Sequence, residues 1–137
     1  PEIKVHSSLN HLLNEASFLM LLGETTNVET YTNAAVRIIN SLNATDNFWK
    51  NLENNDLHYA RLPSGEYGLQ DYLTLTYFDL IRFRSFIKNY MTQEPPFVQN
   101  LGKWKEDFLI NKNIVHTPKF TGNGEDLSPL VKKDEKK

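Results

Sequence analysis

Residues 69–91, LQDYLTLTYFDLIRFRSFIKNYM, carry apolar side chains at spacings of three, four and seven residues. These intervals place side chains on one face of an α-helix, whereas a half-buried strand alternates at every second residue. Leu75, Phe78 and Phe86 widen the apolar stripe, so neighbours can cover such a helix on more than one side. A helix of this length would span about 34 Å, the width of a small domain. The stretch therefore predicts a central helix.

Two helices and a short piece are predicted before this central helix. The first covers residues 9–22 and ends before Gly23, because glycine tolerates the left-handed conformation that closes a helix. The second is opened by a capping box at residues 26–29 (TNVE) and carries one apolar stripe. A short helical piece containing Phe48 and Trp49 follows it.

The last helix is predicted after a pair of prolines. Pro95 and Pro96 cannot continue a helical hydrogen-bond ladder, so they end the central helix. Pro96 can begin the next helix, where its missing amide does no harm. Phe97, Leu101 and Phe108 then fall on one face.

The predicted fold is all-α: a bundle of four main helices plus one short helix around residues 69–91, with an extended C-terminal tail. Residues 57–68 are predicted to be a loop, with a turn at residues 63–65 (PSG). Residues 1–118 form a single helical domain in this prediction, and residues 119–137 form a charged tail that is flexible or ordered by a partner. The predicted core consists of Leu12, Leu13, Phe18, Leu19, Val28, Tyr31, Ile38, Leu42, Leu73, Leu80, Phe83, Ile87, Leu101, Trp104 and Phe108.

Composition narrows the class of protein. A chain of 137 residues with 39% hydrophobic and 23% charged residues is typical of one soluble globular domain. The net charge of −2 provides no general attraction for nucleic acid, and the absence of cysteine excludes disulfides and thiolate metal sites. No apolar run is long enough to cross a membrane. The first residues lack the pattern of a signal peptide, so we expect a cytoplasmic protein.

One polar cluster in the predicted loop could form a site. His58, Tyr59 and Arg61 precede the central helix, and loop residues on a rigid scaffold often carry function. An ordinary surface group is nevertheless the more frequent role of such a histidine. His11 and Glu15 share a helix face, but two ligands are too few for a metal site. We therefore expect no metal and no cofactor.

Catalytic signatures are weak throughout the chain. Ser64 lacks the Gly-x-Ser-x-Gly pattern of a nucleophile elbow. The two glycines nearby are not followed by the Gly-Lys-Ser/Thr of a phosphate-binding loop. No catalytic residue is assigned, and the chain is not expected to be an enzyme.

A set of basic residues offers an alternative role. Arg82, Arg84 and Lys88 lie on the central helix, and Lys103 and Lys105 lie on the last one. If they converge, they could contact phosphates while an aromatic side chain stacks on a base. The simpler interpretation is that Trp104 is a core residue and that the lysines beside it face water.

Aromatic residues make up 12% of the chain, more than four short helices need to bury. Exposed apolar surface of this kind is typical of a protein–protein interface. We therefore expect a small non-enzymatic subunit or adaptor, such as a viral or mobile-element accessory protein, that binds a protein partner or forms a homo-oligomer. The tail could dock as an extended peptide on a neighbouring copy. A nucleic-acid-binding subunit is the alternative.

Overall fold

The fold combines helices with a sheet, so the all-α prediction is wrong. A computed structural model describes residues 7–121, and these residues form four α-helices and a three-stranded antiparallel sheet. In chain order the elements are β1 (Ser7–Ser8), α1 (Leu9–Thr26), α2 (Glu29–Thr45), a 3₁₀ helix (Asp46–Trp49), β2 (His58–Arg61), β3 (Tyr67–Gln70), α3 (Leu75–Ile87) and α4 (Pro96–Asn111).

The sheet has the order β1-β2-β3, and its hairpin occupies the segment predicted to be a loop. The backbone amide of Leu62 donates to the oxygen of Glu66 at 2.7 Å, which leaves residues 63–65 as the hairpin loop. Gly65 has a φ of 90°, the left-handed geometry that such three-residue loops require. The predicted PSG turn is therefore a hairpin turn. Strands of four residues give too little alternation to be recognised without their partner.

The predicted central helix is much shorter than expected, because α3 covers only Leu75–Ile87. Residues 69 and 70 belong to β3, which pairs with β2. Leu69 has a φ of 65°, which a right-handed helix excludes. Asp71 then accepts a hydrogen bond from the Thr76 hydroxyl at 2.6 Å. Sheet pairing and this side-chain contact therefore replace the first helical turns.

The junction between α1 and α2 also differs from its prediction. α1 continues through Gly23 to Thr26 and ends at Asn27, whose φ is 56°. The Thr26 hydroxyl donates to the Leu22 carbonyl oxygen at 2.6 Å, so it does not cap α2. Val28 occupies the N-cap position instead. Gly23 is a helix–helix contact residue, since it packs against Thr32 of α2.

One buried core unites the described residues. It lies among the four helices, with Trp49 and Leu57 contributed by the 3₁₀ helix and the following turn. Leu13, Leu42, Leu80, Phe83, Ile87 and Leu101 are buried as predicted. Phe18, Val28, Tyr31 and Leu73, also predicted for the core, are exposed. Residues 119–121 of the predicted tail pack onto the domain, while residues 1–6 and 122–137 lie outside the described part. Of the helices within residues 7–121, none has the length and apolar character of a membrane span.

Candidate functional site

A buried lysine organises one end of the molecule. The side chain of Lys105, on α4, is fully buried. Its ammonium donates to Asp56 Oδ1 at 2.7 Å, to Asp71 Oδ2 at 2.9 Å and to the Tyr72 carbonyl oxygen at 2.8 Å. These three acceptors use all three donors of the ammonium group. We call Lys105, Asp56 and Asp71 the Lys105 cluster.

The Lys105 cluster fixes two loops to α4. Asp56 ends the turn before β2, and its carbonyl oxygen accepts a hydrogen bond from Trp104 Nε1 at 2.7 Å. Asp71 begins the loop between β3 and α3. Because Lys105 binds the Asp71 carboxylate and the adjacent Tyr72 carbonyl together, this second loop is held at two consecutive residues.

The electrostatics of the cluster are those of buried charge. Burial raises the pKa of Asp71, although the Lys105 ammonium and the Thr76 hydrogen bond oppose that shift. Buried ion pairs add little net stability over apolar replacements, but losing one partner is costly. The cluster therefore does more to fix the position of the loops than to strengthen the fold.

A surface cavity of about 280 Å³ opens over the cluster. The residues that line it are Asn54, Asp56, Gln70, Asp71, Leu73, Phe108 and Lys112. The Lys105 ammonium bridges the two carboxylates, and it has no free donor with which to bind a substrate. Among residues 7–121, no group of three or more histidine or acidic side chains is placed to hold a metal ion. The arrangement fits a structural brace better than a reaction centre.

The chain segment that contains Asp71 also carries exposed apolar side chains. Leu69, Tyr72, Leu73, Leu75 and Phe78 are each between 39% and 54% exposed. They stand within ten consecutive residues, and we call them the 69–78 ridge. They come from β3, the following loop and the first turn of α3. Sequence reasoning placed these residues on one helix, because their spacing imitates a helical stripe.

Two features show that the ridge is built in a defined conformation. Leu69 is held in the left-handed region, at a φ of 65°, while its side chain stays exposed. The Tyr72 ring packs edge-on against Tyr59, with ring centroids 5.3 Å apart. Together with the hydrogen bond from Lys105 to the Tyr72 carbonyl oxygen, these contacts order an exposed loop.

The predicted polar loop site is not assembled as one cluster. His58, Tyr59 and Arg61 lie on β2, where successive side chains alternate between the two faces of the sheet. His58 therefore points to the face opposite Tyr59 and Arg61. Arg61 lies over the Tyr67 ring, 5.9 Å from its centroid.

The five predicted basic contacts also separate. Lys105 is buried in its cluster, and Arg84 forms an ion pair with Glu94 at 2.6 Å. Arg82 is exposed and pairs with Asp79 at 2.9 Å. Lys88 and Lys103 are exposed on α3's C-terminal side and on α4, respectively. Only three of the five are therefore on the surface.

A second polar centre surrounds the residue that follows Lys105. Glu106 is fully buried and accepts hydrogen bonds from the backbone amides of Lys119, Phe120 and Thr121. The Tyr77 hydroxyl donates to Glu106 Oε1 at 2.6 Å. Burial alone would raise the pKa of Glu106, but these donors outweigh burial and lower it. Burial and the Glu106 contact raise the pKa of Tyr77.

Residues 119–121 lie in a groove between α3 and α4. We call this surface the Glu106 groove; it is formed by Tyr77, Arg84, Gln99, Gly102 and Glu106. The Phe120 ring packs against Gly102, where a β-carbon would lie 2.4 Å from Phe120 Cδ1. The Arg84 guanidinium covers the ring, 5.0 Å from its centroid.

Sequence reasoning missed both buried polar centres. One signal was available: Lys105 lies four residues after Leu101 and four before Leu109, which is the spacing of the buried face. A charged residue on that face indicates a paired, buried ion. Its carboxylate partners come from distant loops, so spacing along the chain could not identify them.

Comparison of this chain with protein-family models, with curated proteins and with solved structures found no match.

Proposed function

We propose that this chain is a small non-enzymatic subunit that binds another protein chain through the 69–78 ridge. The observation that carries the proposal is the exposure of five large apolar side chains within ten residues. Single exposed apolar residues are ordinary on a protein surface, whereas a concentrated group is typical of an interaction site.

The order of the ridge supports the proposal. A loop that is fixed before binding loses less conformational entropy on association. The Lys105 ammonium holds the Asp71 carboxylate and the Tyr72 carbonyl oxygen at 2.9 Å and 2.8 Å. The burial of three charged groups is costly, but it holds Tyr72 and Leu73 in one position for binding.

The strained backbone of Leu69 supports it further. Left-handed geometry costs an L-residue about 1–2 kcal/mol. Glycine would avoid this cost, yet the position carries an exposed leucine. Strain kept at an exposed residue without a gain in burial is typical of a functional position.

The basic surface gives the nucleic-acid alternative less support. Lys105 and Arg84 are engaged by carboxylates, and Arg82 is paired with Asp79. An interface through the 69–78 ridge is mainly apolar, so its affinity depends little on salt. Phosphate binding would instead weaken steeply as the salt concentration rises.

The decisive experiment compares matched variants in capture from an extract of the source cells. The ridge variant is Tyr72→Ser/Leu73→Ser, which leaves the backbone contact to Lys105 in place. The control is Val36→Ser, an exposed apolar residue on α2, outside the ridge. Circular dichroism melts verify that all three proteins are folded.

We expect the wild type and the control to capture a protein from the extract at both low and high salt. The ridge variant should not capture this protein. Removing central apolar anchors costs about 2 kcal/mol or more, which corresponds to about a thirtyfold loss of affinity. A partner retained equally by the ridge variant would refute the proposal. Binding of a mixed-sequence single strand only at low salt would support the nucleic-acid alternative.

A further inference from the structure

The Glu106 groove recognises the main chain of residues 119–121. Three successive backbone amides donate to the Glu106 carboxylate, and the Thr121 hydroxyl donates to it at 2.5 Å. Arg84 donates to the Lys119 carbonyl oxygen at 2.8 Å, and Gln99 donates to that of Phe120 at 2.6 Å. Main-chain contacts with one buried side-chain anchor are a common mode of peptide recognition.

The bound segment reaches the groove through a mostly exposed connector, of which Val115 packs against the core and the first amides donate to carbonyl oxygens of α4. Residues 112–118 follow the end of α4, and each of them is exposed or half-buried. The connector begins with a change of direction at Asn113, whose φ is 59°. It returns the chain along the helix that it has just left, from Asn111 back to Gly102. Seven extended residues can reach about 24 Å, which is enough to arrive at a neighbouring molecule instead.

We propose that the Glu106 groove also accepts residues 119–121 of a second copy of this chain, so that two copies exchange the segment. Every contact of the segment with Glu106, Arg84, Gln99 and Gly102 is the same whether it is made within one chain or between two. The two forms differ only in the path of the connector and in the cost of association. Exchange is therefore favoured as the protein concentration rises. The Glu106 groove shares no residue with the 69–78 ridge, so exchange and binding through the ridge are independent.

Two complementary variants of the full chain test the exchange. Gly102→Leu fills the space of the Phe120 ring and closes the groove, but its segment 119–121 is intact. Phe120→Ala removes the anchor of the segment, but its groove is open. When the two are mixed, the open groove of one chain can take the intact segment of the other.

We expect each variant alone to remain monomeric and the mixture to form a heterodimer, measured by light scattering after size exclusion. The melting temperature of Phe120→Ala should rise in the mixture. The control mixes Phe120→Ala with Gly102→Leu/Phe120→Ala, which offers no intact segment. A mixture that behaves like this control would overturn the proposal.

A third variant keeps the proposal testable if those substitutions prevent folding. Deletion of residues 113–118 leaves the residues of the groove and of the segment unchanged but keeps only Lys112 between α4 and the segment. Phe120 then lies at most about 10 Å from Asn111, whereas Gly102 lies about 14 Å back along α4, so the segment cannot return to its own groove. We expect this variant to have the mass of two chains, also when Tyr72→Ser/Leu73→Ser is added. A folded monomer at all concentrations would refute the exchange.

Discussion

Gly23 faces Thr32 so closely across the α1–α2 pair that a β-carbon would lie 2.2 Å from Thr32 Oγ1 and 2.9 Å from its backbone nitrogen. On an exposed helix, Gly→Ala stabilises by about 1 kcal/mol. We expect Gly23→Ala to destabilise instead, by about 1–3 kcal/mol, because the helices must separate. Chemical denaturation gives the free energy of unfolding. Addition of Thr32→Ala removes the clash with the side chain but not the clash with the backbone nitrogen, so it should recover only part of the lost stability. If the free-energy effects of the two substitutions simply add, Gly23 and Thr32 are not in contact.

Glu106→Gln should make stability less dependent on pH. At neutral pH we expect a loss of about 1–3 kcal/mol, because the amide replaces a carboxylate that accepts several hydrogen bonds. The fold lowers the pKa of Glu106, so its ionised form contributes stability above the unfolded-state value of about 4.3. That contribution is lost as the pH falls through the folded-state pKa.

The measurement is the difference in unfolding free energy between wild type and Glu106→Gln over an acidic pH series. This difference should shrink as the pH falls. Asp71, whose pKa is raised, changes stability in the opposite direction, but it is present in both proteins and cancels. A difference independent of pH would mean that the carboxylate charge is not what holds residues 119–121.

Lys105→Met should be strongly destabilising, by about 3–5 kcal/mol, because it leaves two carboxylates buried without a cation. The variant Lys105→Met/Asp56→Asn/Asp71→Asn carries no buried charge at these positions and should recover much of that loss. Thermal and denaturant unfolding of the two variants make the comparison. A triple variant no more stable than the single one would show that unpaired buried carboxylates are not the cause of the loss.

Leu69 offers a direct test of backbone strain. Glycine is normally less favourable than alanine inside a strand, by about 0.5–1 kcal/mol. At a φ of 65° the order should reverse, so Leu69→Gly should be more stable than Leu69→Ala by about 1 kcal/mol. Both substitutions remove the same exposed side chain and should weaken capture of a protein partner alike. The usual order of stability would rule out strain at this residue.

Helices held together by long apolar stripes could be predicted from the sequence, as α2 and α4 show. Leu42 and Leu101 lie on those stripes and are buried. The start of α3 could not be predicted, because Leu69 and Leu73 continue its spacing although they belong to the strand and loop before it. The helix cannot begin at Leu69 because β3 pairs with β2, a strand that lies outside the helical window, and Leu73 lies in the loop that follows β3.

The ionic centres escaped prediction for a different reason. Lys103 and Lys105 flank Trp104 and look equivalent in the sequence, yet one is exposed and the other fully buried. The difference depends on Asp56 and Asp71, which reach Lys105 only after the chain has folded. The local sequence therefore predicts the buried face of a helix better than it predicts which charged side chains form ion pairs.

The position of Phe120 in the chain sets an order for biosynthesis. Residues 119–121 leave the ribosome only after α3 and α4 have emerged. Until then Gly102 has no ring against it, and the Glu106 carboxylate lacks its three backbone donors. During synthesis the groove is therefore empty until the segment that fills it has emerged.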